Sequence, residues 1–495
     1  MEDDFKNLHK EEDKVIEHIP VIIAGLLISL FIVALDSTIT STAMPKIIAS
    51  LGGLQYYVWP FTIYLVTSII STMLSGKLSD FYGSKKVLIS GIIIFVIGSI
   101  FCGFSQNMAE LIIFRALQGL GAGIIFVLPL KIVAEMFPPR QRGKYIGILS
   151  AAGGISSIVG PVIGGFITDF LGWQWIFFLN VPIGIITIAI LLAYFPNLEI
   201  IVKDKIMDYF GILTFTGGLT SFLLALELIQ QNNGISTLWI VLLFSTAAIM
   251  LILFIYTEKN AKEAVLPLYL FKNSVYNVSA ILSIINGAVS MGAVVYIPLF
   301  LQEVQGMTAS ASGASLIPLL LGMVIASMIT GQLITKTGTY KIYGIISFGI
   351  SIIGMILLTT MNINTDLMEV GIYAVVSGIG MGMALPIITL AAQNSVSKRD
   401  LGVVTASSQY IRLLGSVVGL AIIGAIVNAT LNINLQNSHI NVSTTLLTTA
   451  IHDAFLICVI MNIIGFIISF FLKDLHLSNE MEEIGYEESP GEPDF

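Results

Sequence analysis

Fourteen long apolar runs constrain this chain more than any other feature of its sequence. Each run holds about 20 mostly apolar residues, the length that a helix needs to cross the hydrocarbon core of a bilayer. Only 11% of the 495 residues are charged, against roughly 25% in a soluble domain, and the mean hydropathy is +0.92. We therefore predict an all-α polytopic membrane protein with 14 transmembrane helices. The runs lie at about 20–44, 56–79, 86–105, 109–135, 143–168, 175–195, 208–230, 237–257, 274–302, 308–334, 341–361, 367–394, 401–430 and 448–472.

The basic residues fix a direction for these spans. Of the 23 Lys and Arg residues, 19 fall in segments on one side of the predicted membrane, and one, Lys46, falls on the other. Arg115, Lys131 and Arg412 lie within spans. Because Lys and Arg concentrate in cytoplasmic segments, we predict a multi-pass protein of the cell membrane with both termini in the cytoplasm.

Several function classes lack the residues that they need. Cys102 and Cys458 lie in apolar runs without a CxxC partner, and the five histidines share no ligand spacing, so we expect neither a metal nor a disulfide framework. The sequence contains no Walker loop for ATP and no basic patch for nucleic acid. We predict no cofactor and no enzymatic activity.

Two halves of the chain repeat the same pattern, which is how many transporters are built. Segment 76–86 reappears as 331–341 with Gly, Gly and Lys at the same offsets, and segment 118–123 reappears as 377–382. The seventh and eighth runs are then an insertion between two six-helix bundles. The predicted divisions are a cytoplasmic N-terminus at 1–19, a first bundle at 20–195, an insertion at 196–273, a second bundle at 274–472 and an acidic, disordered tail at 473–495.

Asp36 lies about one helical turn past the middle of the first run. A carboxylate at the bilayer centre costs about 2.5–3.5 kcal/mol on insertion scales, so Asp36 must face a cavity or a partner, or hold a proton. Because desolvation disfavours the charged form of a carboxyl group, a proton can load and leave as a cavity changes sides. The alternative is a structural carboxylate bonded to neighbouring Thr and Ser hydroxyls.

Two arginines also lie within spans. Arg115, about a turn and a half from the outer end of the fourth run, cannot lose its proton and needs a counter-charge or a polar cavity. It can hold a nearby carboxylate ionised or release it to take a proton; a fixed clamp between helices is the alternative. Arg412, in the thirteenth run, is a further buried charge that we expect to contact a loop or a helix end near the cytoplasmic side.

Two further segments combine glycines with other informative residues. In the fifth run, small residues spaced by four allow another helix to approach closely, and a proline allows a bend; ordinary packing is the alternative. These residues are Gly153, Gly160, Pro161, Gly164 and Gly165. After the second run, a short cytoplasmic turn is predicted to form a hinge or latch rather than a solvated loop. Its residues are Gly76, Asp80, Gly83, Lys85 and Lys86.

These segments together resemble the fourteen-helix branch of the drug:proton antiporters in the major facilitator superfamily. Segment 76–86 is similar to the superfamily's loop motif, 115–123 to its helix 4 motif, 153–165 to its antiporter motif and 35–45 to the helix 1 motif of this branch. The loop motif usually carries basic residues where this chain has Phe81 and Ser84, so we expect Lys85 and Lys86 to replace them. The run at 308–334 lacks the acid found in some multidrug members.

The resemblance implies two pseudo-symmetric six-helix bundles, alternating access, and proton influx that drives export of small amphipathic drugs or toxic compounds. It implies that Asp36 and Arg115 belong to the coupling machinery. We expect the partners to be a small molecule, protons and the bilayer, with a monomer as the working unit and no nucleic acid. Export of one endogenous metabolite, lipid or siderophore on the same fold remains an alternative, and so does a channel.

Overall fold

The computed structural model describes residues 2–137, 139–195, 209–230, 237–260, 268–396, 401–431 and 444–473. Every regular element in these ranges is helical. The predicted disordered tail lies outside them, apart from Lys473. Parts of the predicted insertion also lie outside them. The helices are α1 (Glu2–Leu51), α2 (Trp59–Tyr82), α3 (Ser84–Phe104), α4 (Met108–Met136), α5 (Pro139–Phe170), α6 (Gln174–Phe178), α7 (Asn180–Tyr194), α8 (Tyr209–Gln230), α9 (Thr237–Asn260), α10 (Ser274–Leu299), α11 (Ala309–Thr337), α12 (Lys341–Thr359), α13 (Leu367–Asn394), α14 (Leu401–Leu431) and α15 (Thr444–Ser469).

Thirteen helical segments of the described chain are long and apolar enough to cross a membrane. One of them, at 174–194, joins the short helices α6 and α7, which Leu179 separates. The remaining predicted span corresponds to α8, whose apolar stretch, Phe210–Leu226, is shorter because Glu227 and Gln230 follow it. The chain is therefore a multi-pass membrane protein with the all-helical architecture that the apolar runs predict.

Helices α1 to α7 pack into a first half, and α10 to α15 pack into a second half. The glycines of α4 set the spacing in the first half, because a Cβ at Gly119 or Gly123 would overlap α2 and one at Gly121 would overlap α3. The same arrangement recurs in the second half, where a Cβ at Gly378 or Gly382 of α13 would overlap α11 and one at Gly380 would overlap α12. The repeated sequence segments thus occupy equivalent packing positions, as close backbone approach in a membrane requires.

Helices α8 and α9 form a hairpin beside the two halves. The ring of Phe215 in α8 packs at a tilt against Phe254 of α9 and Tyr410 of α14, with ring centroids 5.4 and 5.6 Å apart. Leu219 and Phe222 of α8 continue the same apolar cluster toward α2. The hairpin therefore touches both halves and is not a separate unit.

The two ends of the helical assembly differ in charge and in the hydrogen bonds that join the two halves. We call the end at which α2 finishes and α3 begins, with Lys85 and Lys86, the basic end, and the end at which α1 finishes the opposite end. Hydrogen bonds between the two halves gather at the opposite end, where Tyr57 Oη donates to the Val295 carbonyl at 2.9 Å and Asn428 Nδ2 donates to the Gln55 carbonyl at 2.7 Å. The halves are thus joined at the opposite end.

Candidate functional site

Asp36 and Arg115, singled out separately in the sequence, form one buried ion pair. Asp36 lies in α1 and Arg115 in α4, and Nη1 of Arg115 lies 2.6 Å from Oδ2 of Asp36. Each side chain is only 1% exposed. A buried charge requires a partner of opposite sign and further hydrogen bonds to offset its desolvation. The pair meets the first requirement at a depth where lipid surrounds the helices.

Three neutral side chains complete the polar network around the carboxylate. Oδ1 of Asp36 accepts hydrogen bonds from Gln118 Nε2 and Asn180 Nδ2, both at 2.8 Å. Gln118 Nε2 also donates to Ser99 Oγ at 2.8 Å, and Asn180 Nδ2 to the same oxygen at 3.2 Å. All three of these residues are fully buried. Helices α1, α4 and α7 therefore meet at one carboxylate, and α3 joins them through Ser99.

The guanidinium of Arg115 makes further contacts besides the ion pair. Its Nη1 also donates to Gln118 Oε1 at 2.7 Å, and its Nε donates to the Pro60 carbonyl at 3.3 Å. The ring of Tyr64 lies against its flat face, 4.0 Å from the guanidinium carbon, which is a cation–π contact. These contacts fix Arg115 to α2 as well as to α1.

Two polar atoms beside this network have no hydrogen-bond partner within the described chain. They are Oδ1 of Asn180 and the hydroxyl of Tyr64. Because buried polar groups are nearly always hydrogen-bonded, these atoms leave unused hydrogen-bonding capacity next to the ion pair. The network is thus tightly paired at the carboxylate and incomplete at its edge.

The glycines of α5 place that helix against the other face of α1. A Cβ at Gly160 would overlap Oγ1 of Thr38, and one at Gly164 would lie 2.9 Å from the Cα of Ile39 and 2.7 Å from Oγ1 of Thr42. Helix α1 is therefore packed tightly against α5 within one turn of Asp36. Of the other motif residues, Gly165 faces α11, whereas Gly153 has open space where a side chain would lie.

Pro161 lies within a continuous α5, and its carbonyl occupies the space that a Cβ at Gly313 of α11 would need. The proline thus marks a close crossing of α5 with the second half. The predicted bend at Pro161 stays a prediction.

The loop motif is a turn of one residue between α2 and α3. Gly83 forms it with φ +88°, a conformation that side-chain-bearing residues rarely adopt. Asp80 forms an ion pair with Nζ of Lys131, which also donates to Ser79 Oγ at 2.5 Å and to the Gly76 carbonyl at 3.0 Å. Lys131 belongs to α4, so the motif is joined to a helix of the same half.

Lys85 and Lys86 do not supply the cation of this cluster. Nζ of Lys85 donates instead to the Phe195 carbonyl just after α7. Ser84 Oγ donates to Glu135 at 2.8 and 3.0 Å, and Glu135 lies 3.7 Å from Lys131. The expectation that the two loop lysines replace the missing basic residues is therefore not what the geometry shows. Lys131 occupies the centre of the cluster.

Arg412 has a different environment from Arg115. Its Nε and Nη2 donate to Oε1 of Gln409, at 3.2 and 3.0 Å, and it forms no ion pair with an acid in the described chain. Its neighbours show which sides of α14 are occupied. Tyr410 contacts Met73 of α2, the Arg412 carbonyl lies against Gly287 of α10, and Thr405 accepts from Gln393 of α13. Gln409 is exposed, so Arg412 pairs with a surface amide of its own helix.

The sequence did not place Gln118, Asn180 or Ser99 beside Asp36. Gln118 follows Arg115 by three residues, a spacing that places both on one face of α4. Asn180 is the lone amide of an apolar run. Both signals were present, but only the fold shows that these side chains point at Asp36.

Comparison with known proteins identifies the class that this fold and site define. The sequence profile of the Major Facilitator Superfamily matches residues 26–420. A multidrug transporter protein, MdtP of Bacillus subtilis strain 168, is 39% identical over 406 residues, which cover 82% of this chain and 75% of that protein. Multidrug resistance protein 3 of the same organism is 33% identical over 434 residues, covering 88% of this chain and 81% of that one.

Solved structures agree at the level of the fold. A D-xylose–proton symporter superposes with a TM-score of 0.65 at 15% identity, covering 92% of this chain and 98% of that chain. A bacterial homologue of the human lysosomal transporter Spinster gives 0.64 at 14% identity, covering 93% and 98%. The chain belongs to the major facilitator superfamily. It is a transporter of small molecules, and multidrug transporters are among its relatives.

Proposed function

We propose that this protein exports small amphipathic compounds, drugs among them, by antiport with protons. The observation that carries the proposal is the buried pair of Asp36 and Arg115. An ionisable group inside a membrane span is costly, so such groups are rare and usually serve a function. The multidrug transporters among its relatives support the substrate class.

The network gives a physical route to coupling. Both carboxylate oxygens of Asp36 already accept hydrogen bonds, all of them from nitrogen donors. A proton added to Asp36 removes the charge that Arg115 faces and turns an acceptor into a donor that points at donors. The network must then rearrange, and α1, α4 and α7 rearrange with it. Binding and release of one proton at Asp36 thereby bias the arrangement of the first half.

We propose that the basic end faces the cytoplasm, as the distribution of Lys and Arg indicates. The halves are joined at the opposite end, so the arrangement described above is the one that receives substrate from the cytoplasm. Alternating access then requires the contacts at the opposite end to break and contacts at the basic end to form. The monomer, with both halves in one chain, is the proposed transport unit.

Everted membrane vesicles from an efflux-deficient host test the proposal. A pH gradient with an acidic vesicle interior should drive uptake of fluorescent lipophilic compounds, and a protonophore should stop this uptake. Vesicles that lack the protein are the control. Uptake that ignores the protonophore would reject proton coupling. Failure of every compound in a chemically diverse panel, together with transport of one endogenous metabolite, would instead favour the single-substrate exporter.

A further inference from the structure

Helices α5 and α11 belong to different halves and cross at the opposite end with their backbones in close contact. A Cβ at Gly165 would overlap the Ala309 carbonyl and lie 2.5 Å from the Cα of Ser310. A Cβ at Gly313, one turn further along α11, would overlap the carbonyl of Pro161. Two glycines, one from each helix, therefore let α5 and α11 approach without intervening side chains.

Asp169 lies one turn after Gly165 and uses this approach. Its Oδ1 accepts from the Ala309 amide at 3.1 Å, and its Oδ2 accepts from the amide and the hydroxyl of Ser310, at 2.8 and 2.6 Å. Ala309 and Ser310 are the first two residues of α11. A carboxylate of the first half thus caps a helix of the second half.

The start of α11 has its remaining amides satisfied from its own chain. Thr308 Oγ1 accepts from the Ala311 amide at 3.2 Å, and the Thr308 carbonyl accepts from the Ser312 amide at 3.0 Å. The first four amides of a helix have no partner within it, and a negative charge there is favoured by the helix dipole. Thr308 therefore serves two of these amides locally, and Asp169 serves the other two from the far half.

This contact is built so that it can be released. Asp169 is exposed, and its two bonds to Ser310 lie at the surface. When the halves separate, water can bind both the carboxylate and the freed amides, so neither is left unsatisfied. The buried pair of Asp36 and Arg115 lacks that option. A charged, solvated contact between halves suits a joint that opens in each cycle, whereas an apolar seam would resist opening.

We propose that Asp169 is a releasable latch that holds the two halves together at the opposite end, and that its release accompanies opening of that end. The proposal rests on the alternating access given under the proposed function. Asp169 is a positioning residue in this scheme and need not touch substrate.

Distances between spin labels on the full-length protein test the latch directly. Leu171, just after α5, and Met368, at the start of α13, are 58% and 74% exposed and lie at the opposite end in different halves. Cys102 and Cys458 are buried, so labels attach to cysteines introduced at these two positions. Double electron–electron resonance in liposomes then measures the distance between the two labels and so reports the closed and open populations. The measurement is repeated with an acidic exterior and with a transported compound.

Asp169→Asn keeps the size of the side chain and removes its charge. It should raise the ratio of open to closed protein about 2- to 5-fold, the range given by loss of a negative charge at a helix N-terminus. Ser310→Ala should produce a smaller shift in the same direction, and Asp169→Glu should remain close to the parent protein. Asp366→Asn is the matched control, since Asp366 lies at the same end before α13 but its side chain caps nothing there.

Two results would overturn the latch, and they are distinguishable. If the parent protein shows two populations and Asp169→Asn leaves their ratio unchanged, the latch is wrong and alternating access stands. If every variant shows one closed distance under all conditions, the latch fails together with the alternating access on which it rests. Elution volume and helical content, measured on each variant, establish that the compared proteins are folded.

Discussion

Nη1 of Arg115 lies 2.6 Å from Oδ2 of Asp36, and both side chains are buried to within 1% of full enclosure. This pair links α1 to α4 at the depth of the bilayer core. Gln118 and Asn180 bind the other carboxylate oxygen, so a change at Asp36 reaches α7 as well.

The ion pair should be worth more to coupling than to folding. Asp36→Asn leaves Arg115 as a buried charge without a counter-charge, which costs about 3–5 kcal/mol. Adding Arg115→Gln should recover much of that stability, because no buried charge is then unpaired. Thermal unfolding in detergent should show this recovery as a large interaction energy in a double-mutant cycle. Transport should stay uncoupled in the double variant. Strictly additive losses of stability would contradict the pairing.

Asn180 should contribute to transport through its hydrogen bond to the charged carboxylate of Asp36. Asn180→Ala removes its donor to Asp36 Oδ1, and a hydrogen bond to a charged group contributes about 1.5–3 kcal/mol. We expect slower gradient-driven efflux with the protein still folded. Asn107→Ala, which removes a surface cap at the start of α4, is a control far from the carboxylate. Equal efflux in the Asn180 and Asn107 variants would remove Asn180 from the site.

The contact of α5 with α1 should tolerate no added methyl group. Gly160→Ala would overlap Thr38, and overpacking of this kind costs typically about 1–3 kcal/mol. Gly153→Ala is the matched control on the same helix, because nothing lies within 4 Å of its Cβ position. Flux in vesicles, divided by folded protein, should fall for Gly160→Ala and stay unchanged for Gly153→Ala. Equal effects of the two substitutions would show that the close contact at Gly160 has no special role in transport.

The charged cluster of Asp80, Lys131 and Glu135 at the basic end can be tested by moving its positive charge to another position. Lys131→Met should leave Asp80 and Glu135 facing each other without a positive charge, which lowers stability by about 1 kcal/mol because the pair is partly exposed and lowers flux as well. Adding Ser84→Arg returns a cation at the start of α3, next to Glu135, and should restore both. Lys86→Met is the control on the same turn. A rescue that fails while Ser84→Arg alone is active would show that Lys131 has another role.

The helical architecture and the repeat followed from the sequence, because apolar length and glycine spacing are local properties. Asp36 and Arg115 were found singly, since a charge in an apolar run is conspicuous wherever its partner lies. Lys131 was noted in the sequence only as a basic residue within a span, and only the fold brings Asp80 of α2 to it. Asp169 was missed for the same reason. It ends one span, and the helix that it caps begins 140 residues later.

The role of Asp36 as the proton carrier is tested most directly by measuring proton and substrate movement together. Purified protein in liposomes, with a pH-sensitive dye inside and a fluorescent lipophilic monocation as substrate, should show that substrate moving one way releases protons the other way. Asp36→Asn should abolish this exchange, while Glu110→Gln, a partly exposed acid in the first turn of α4, should retain it. Full proton exchange in the Asp36→Asn protein, or substrate flux without proton movement in the parent protein, would contradict the account.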